Sequence, residues 1–180
     1  GKESISMQTL KDLVATNDYA AFIFEPLVQG AAGMVMYSPD ILDEMVAHCK
    51  EHNVFTIADE VMTGFGKTGK TFASDYLANK PDMMCLSKAL TGGTIPMAIT
   101  TFTQKIFDGF YDDDTHKALF HGHTFTANPT GCAAALASIT MLQTAVMQSN
   151  IIRINQLHLA FEKEIQSHPK VKTTRVLGVI

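Results

Sequence analysis

Val54-Phe55-Thr56-Ile57-Ala58-Asp59 is a short apolar run that ends on a carboxylate, and its reading decides the fold. β-branched and aromatic residues without a strict apolar and polar alternation describe a strand covered on both faces, as a parallel sheet requires. Further runs of the same kind are Ala20 to Phe24, closed by Glu25-Pro26, then Met83 to Leu86, followed by Ser87-Lys88, and Met97 to Phe102. Helical patterns lie between and after them. Met7, Leu10, Leu13 and Val14 recur at helical spacing. Ser38-Pro39-Asp40 supplies an N-cap, a proline in the first turn and an early acid, ahead of an apolar face of Ile41, Leu42, Met45, Val46 and Cys49 that should end near His52-Asn53.

Asn128-Pro129 repeats the cap-and-proline signal and predicts a long, buried, Ala-rich helix to about Met147. A second helix is expected from Ile151 to Gln166, and a late strand over Val171 to Leu177. Strands alternating with helices give an α/β fold with a mainly parallel sheet flanked by helices, and such sheets collect ligands at the carboxyl ends of their strands. Glu25, Asp59 and Ser87-Lys88 all fall at those ends.

Composition narrows the function classes. The chain has 180 residues, 46% hydrophobic and 18% charged, which suits one well-buried globular unit rather than a disordered or fibrous protein. Fourteen Lys and Arg against 18 Asp and Glu leave a net charge of -4, with no basic run to follow a phosphate backbone, so no nucleic-acid partner is expected. Cys49, Cys85 and Cys132 are odd in number and scattered, which reads as reduced thiols of a cytoplasmic protein. The apolar stretch from Cys132 to Met147 is interrupted by polar residues and too short for a bilayer, so no membrane partner is expected. Gly1-Lys2-Glu3-Ser4 and the apolar end at Ile180 read as the edges of a piece of a longer chain.

Gly64-Phe65-Gly66-Lys67-Thr68-Gly69-Lys70-Thr71 matches the nucleotide-binding pattern G-x-x-x-x-G-K-[ST] letter for letter, so a P-loop ATPase is a rival reading. Its context is wrong. Asp59-Glu60-Val61-Met62 separates it from the preceding strand and brings two carboxylates where a polyphosphate needs positive potential. A Gly-rich turn with two solvated lysines is the preferred reading.

Asp59 and Lys88 together suggest a different chemistry. A cofactor such as pyridoxal 5'-phosphate needs an amine to hold its aldehyde and a carboxylate to keep its ring nitrogen protonated, because the protonated ring is what draws electrons from a substrate carbon. A carboxylate beside that nitrogen favours the charged ring. Singly, Asp59 could be a turn aspartate and Lys88 a solvated lysine; Thr91-Gly92-Gly93 after the lysine allows close backbone approach to a ligand. His121-Gly122-His123-Thr124-Phe125 offers a hydroxyl and backbone N–H groups suited to a phosphate ester. Metal is not expected there, because His116, His121 and His123 have no acid or cysteine at ligand spacing. Glu25 could pair with a distant arginine or hold the wall of the site.

Glu25-Pro26-Leu27-Val28-Gln29-Gly30, Ile57-Ala58-Asp59-Glu60-Val61 with Thr63-Gly64-Phe65-Gly66, Lys88-Ala89-Leu90-Thr91-Gly92-Gly93, and His121-Gly122 with Thr124-Phe125 resemble, as a set, the class III pyridoxal-phosphate aminotransferases of fold type I. The resemblance implies that Asp59 pairs with the ring nitrogen, that Lys88 carries the cofactor, and that Thr124 with the His123 backbone binds its phosphate. Gly122 would touch substrate, and Glu25 would support the site. Residues 1–180 would be the central part of the cofactor-binding large domain, running towards the C-terminal domain near 150–180.

A homodimer with shared active sites is also implied, as is the absence of nucleotide chemistry. Within the class the Thr-Gly-Gly after Lys88, the His-Gly-x-Thr-Phe loop and Met62 are similar to the branch that transfers the amino group of S-adenosyl-L-methionine to 8-amino-7-oxononanoate in biotin synthesis. The alternative within the class is an ω-amino-acid or diamine transaminase. Ser87 and His123 depart from that branch, which usually has Gly and Pro there. The resemblance further implies that some of the site lies outside these 180 residues, which by themselves should turn over no substrate.

Overall fold

The computed structural model describes residues 1–16 and 18–180. Lys2–Val14 forms α1, Ala21–Phe24 forms β1, and a two-stranded hairpin of β2 (Val28–Gln29) and β3 (Val35–Met36) follows. Next come α2 (Pro39–Glu51), β4 (Phe55–Asp59), β5 (Met83–Leu86), β6 (Ile99–Phe102), the short α3 (Gln104–Asp108), α4 (Pro129–Leu142) and α5 (Ala145–Ile165). The main sheet runs β1-β4-β5-β6, parallel except for β6, which is antiparallel to β5. Register pairs Phe24 with Ala58 and Asp59 with Cys85, so the ends of β1, β4 and β5 come level along one edge.

Helix α2 starts where the sequence predicts. The Ser38 hydroxyl accepts the Ile41 N–H at 3.4 Å, Pro39 opens the first turn, and Leu42, Val46 and Cys49 are wholly buried. Leu42 and Val46 pack with Phe24 and Ala58 in the main core, while Cys49 joins Val14 and Val54 beneath α1. Among the described residues the strands are covered more fully on one face than on the other, where the sequence pattern predicts burial on both. In β1, Phe24 is 7% exposed and Ile23 61%, and β4 alternates in burial along its length. The helices α1 and α2 lie on a single face, and nothing among the described residues covers Ile23 on the other.

The C-terminal third differs from expectation in three further ways. The helix foreseen to Met147 stops at Leu142, because the Thr144 hydroxyl accepts the Met147 N–H at 3.3 Å and donates to Met141 O at 2.8 Å, capping a new helix that leaves at 69°. Helix α4 itself is not buried: only Gly131 and Ala135 are, while Leu136 is 67% exposed. Finally, Val171 to Leu177 pairs with no strand. It ends in a turn at Gly178 (φ +63), where an added Cβ would lie 2.3 Å from the Thr68 carbonyl carbon, and Val179 N–H donates to Lys67 O at 2.9 Å. Its neighbour is the Gly-rich turn, which presents no ladder edge. No single described helix is long and apolar enough to cross a membrane; α4 and α5 reach that composition only as a bent pair.

Candidate active site

Asp59 is the last residue of β4, and its half-buried side chain stands at the carboxyl edge of the sheet. One carboxylate oxygen accepts the Val61 N–H at 3.1 Å; the other has no hydrogen-bond partner among the described residues. One strand over, Lys88 follows the end of β5 and opens a single 3-10 turn, Lys88–Thr91. Its backbone takes φ +48, a region that non-glycine residues enter at a cost of about 1–3 kcal/mol and that clusters at functional sites. Its amine is exposed and has no hydrogen-bond partner among the described residues.

The ground under Lys88 is well fixed. Ser87 Oγ donates to Met97 O at 2.7 Å, which ties the end of β5 to the segment leading into β6. Ser138 Oγ, from α4, donates to Ala89 O at 2.9 Å, and Leu90 and Thr91 are buried. Gly131 sits close to Met97 Sδ, where a Cβ would approach to 3.1 Å. The amino end of α4 is thereby held against the Lys88 side of the sheet.

Glu25 follows β1 and completes the row of strand ends. Among the described residues no arginine pairs with it: its carboxylate accepts the Gly30 N–H at 2.8 Å and the Ala31 N–H at 3.4 Å, and its carbonyl accepts the Tyr37 hydroxyl at 2.6 Å. Within these residues it shapes the loop that leads from β1 through β2. Burial and the neighbouring carboxylates push the Tyr37 phenol well above its ordinary range, so it stays a neutral donor. Glu25 and Asp59 both border an open depression of about 1090 Å³, which is walled by residues of α1, β1, the β2–β3 hairpin and the start of α2. Lys88 does not border it.

His121, Gly122, His123, Thr124 and Phe125 form an exposed loop before α4. The His123 N–H donates to Thr126 Oγ1 at 3.0 Å, and His123 Nδ1 accepts the Phe125 N–H at 3.2 Å. The His123 amide is thus engaged within the loop, whereas the Thr124 hydroxyl has no partner among the described residues. No hydrogen bond links this loop to Asp59 or Lys88.

The nucleotide-like motif proves to be something else. Residues 64–71 make turns that lead into a single 3-10 turn, Ala73–Tyr76, and no α-helix opens off the Gly-Lys-Thr. A phosphate cradle without a helix N-terminus lacks its main source of positive potential. Lys67 is exposed, and Lys70 lies over the Tyr76 ring at 4.2 Å while donating to Asp75 O at 3.0 Å.

The class III aminotransferase description matches residues 2–180. The chain belongs to that family. Class III aminotransferases use pyridoxal phosphate, and the donor set on the sheet edge of this family member fits that group. It has one half-buried carboxylate with a free oxygen, and on the adjacent strand end an amine with no competing partner.

Adenosylmethionine-8-amino-7-oxononanoate aminotransferase of Synechococcus elongatus is 42% identical over 99% of the chain, which covers 42% of that protein. The protein of that name from Corynebacterium glutamicum is 39% identical over 94% of the chain, covering 40% of its length. The crystal structure of the Methanocaldococcus jannaschii protein of that name matches 94% of the chain with a TM-score of 0.84 and 34% identity, and the chain covers 41% of it. The chain therefore spans about two fifths of the length of these relatives.

Sequence reasoning missed two structural residues of this site. Glu60, next to Asp59, points to the opposite side and is wholly buried. It accepts from Thr63 Oγ1 at 2.7 Å, Ala73 N at 3.0 Å and Ser74 N at 2.7 Å, and also from the Ser74 hydroxyl. Asp82, before β5, accepts the Thr56 N–H at 2.8 Å and the Thr56 hydroxyl at 2.7 Å. The strand period signals that one of two successive acids at a strand end must turn inward; nothing in the sequence says which donors will meet it.

Proposed function

We propose that the protein carrying this chain transfers the amino group of S-adenosyl-L-methionine to 8-amino-7-oxononanoate, giving 7,8-diaminononanoate in biotin synthesis. The observation that carries the reading is the pairing of Asp59 and Lys88 on adjacent strand ends, in a chain 42% identical to a relative named for that reaction. When bound, pyridoxal phosphate supplies an electron sink for the carbon that carries the amino group. Asp59 keeps the ring nitrogen protonated through its free carboxylate oxygen. Lys88 would hold the cofactor covalently at rest; displaced by the donor's amino group, its free Nζ would accept the α-carbon proton and give it up again as the amino group is passed on. Thr124, and the neighbouring backbone N–H groups of the loop, hold the phosphate, and Gly122 leaves room for substrate.

This reading includes a homodimer, with the 121–125 loop serving the partner's site, in the cytoplasm and without a nucleic-acid or membrane partner. The exposure of that loop supports the dimer. The test is borohydride reduction of the purified protein with pyridoxal phosphate, followed by mass mapping of the modified lysine. Lys88 should carry the label, and Lys88→Ala should abolish it and lower amino transfer by roughly 10²–10⁴-fold. A reducible adduct at another lysine would overturn the assignment. Amino transfer from ornithine or γ-aminobutyrate in preference to S-adenosyl-L-methionine would move the substrate reading to a diamine or ω-amino-acid transaminase.

A further inference from the structure

His48-Cys49-Lys50-Glu51-His52 closes α2, at the end of the sheet opposite Asp59, and serves none of the roles above. Cys49 is wholly buried and fixes how this turn faces. The two histidines are then neighbours four residues apart, with ring centroids 4.2 Å apart, and Glu51 lies beside them. One ligand atom from each of His48, Glu51 and His52 lies within 4.8 Å of the other two. His52 Nδ1 is 2.9 Å from the His48 carbonyl oxygen. A carbonyl can only accept, so Nδ1 carries the proton and the Nε2 lone pair is left for a ligand. Metal-binding imidazoles are oriented by this kind of hydrogen bond to a backbone carbonyl.

We propose that His48, Glu51 and His52 form a surface site for a divalent transition metal of the zinc class, with water completing the coordination. Two imidazoles and one carboxylate suit that ion better than the all-oxygen preference of calcium or magnesium. Glu51 is exposed, so its carboxylate is free to swing towards the two imidazoles, while the His52 ring keeps its hydrogen bond to the His48 carbonyl. The metal clamps the last turn of α2 just before Val54 enters β4; it takes no part in the chemistry of Asp59 and Lys88.

The test is a Zn²⁺ titration of untagged protein by calorimetry, beside the Glu51→Gln and His52→Ala variants, both altered at exposed positions. The parent should bind one more Zn²⁺ per chain than His52→Ala, and Glu51→Gln should weaken that site about tenfold. Zn²⁺ should raise the Tm of the parent but not of His52→Ala, while borohydride labelling of Lys88 stays equal in all three. Equal Zn²⁺ stoichiometry and affinity in parent and His52→Ala, or no Zn²⁺ bound by the parent, would overturn the proposal.

Discussion

Residues 59–77 and residues 109–127 are both largely loop, yet they are built in opposite ways. The first wraps around Glu60, whose buried carboxylate satisfies two hydroxyls and two backbone N–H groups, and it carries Thr63, Thr68, Ala73, Ser74 and Leu77 into the interior. The second lies on the surface, with Leu119, Phe120 and Phe125 between 61% and 86% exposed, and its hydrogen bonds are nearly all to residues within a few positions. A loop organised by a buried charge holds its shape from within. A loop organised only locally takes its final shape from what binds it, which suits residues proposed to meet a phosphate and a second subunit.

That contrast breaks most visibly at Glu60. Glu60→Ala leaves buried donors at residues 63, 73 and 74 without their acceptor, and stability should fall by about 3 kcal/mol or more. Urea unfolding measures it, and a loss under about 1 kcal/mol would mean that the loop is held by its apolar contacts instead. A smaller loss, about 1–3 kcal/mol, is expected for Asp82→Ala, which removes both partners' acceptor at Thr56 from the strand that carries Asp59. Here the same unfolding curve is the check, with Thr56→Val as its counterpart: the double variant should cost less than the two singles added.

In the exposed loop the order of effects reverses. Thr124→Ala should change stability by no more than about 0.5 kcal/mol, yet weaken pyridoxal phosphate by about tenfold or more, the size of one hydrogen bond to a charged group. Fluorescence titration of the apoprotein reads that change. Unaltered affinity would separate this loop from the phosphate and leave the comparison resting on packing alone.

Sequence reading did best where local signals agree. The Ser38-Pro39 start of α2, the strand ends at Phe24, Asp59 and Leu86, and the Asn128 cap of α4 all combine a cap or turn residue with an apolar pattern. It failed where a single side chain outweighed the pattern. Thr144 ended an apolar helical run because its hydroxyl offered a cap. Gly178 turned an apolar tail onto the backbone of residues 67–69 before any ladder could form.

The Gly-Lys-Thr run shows the same limit from the other side, since its letters fit a phosphate loop that its backbone does not form. By itself, then, the sequence determined the α/β order, the family motifs and the identity of the acid and the lysine at successive strand ends. These follow from residue type and spacing along the chain. Tertiary structure alone decided that Asp59 and Lys88 stand at adjacent strand ends and that Glu60 turns inward to four donors. Each of those depends on which distant segments meet, and register and burial are properties of the meeting rather than of either segment.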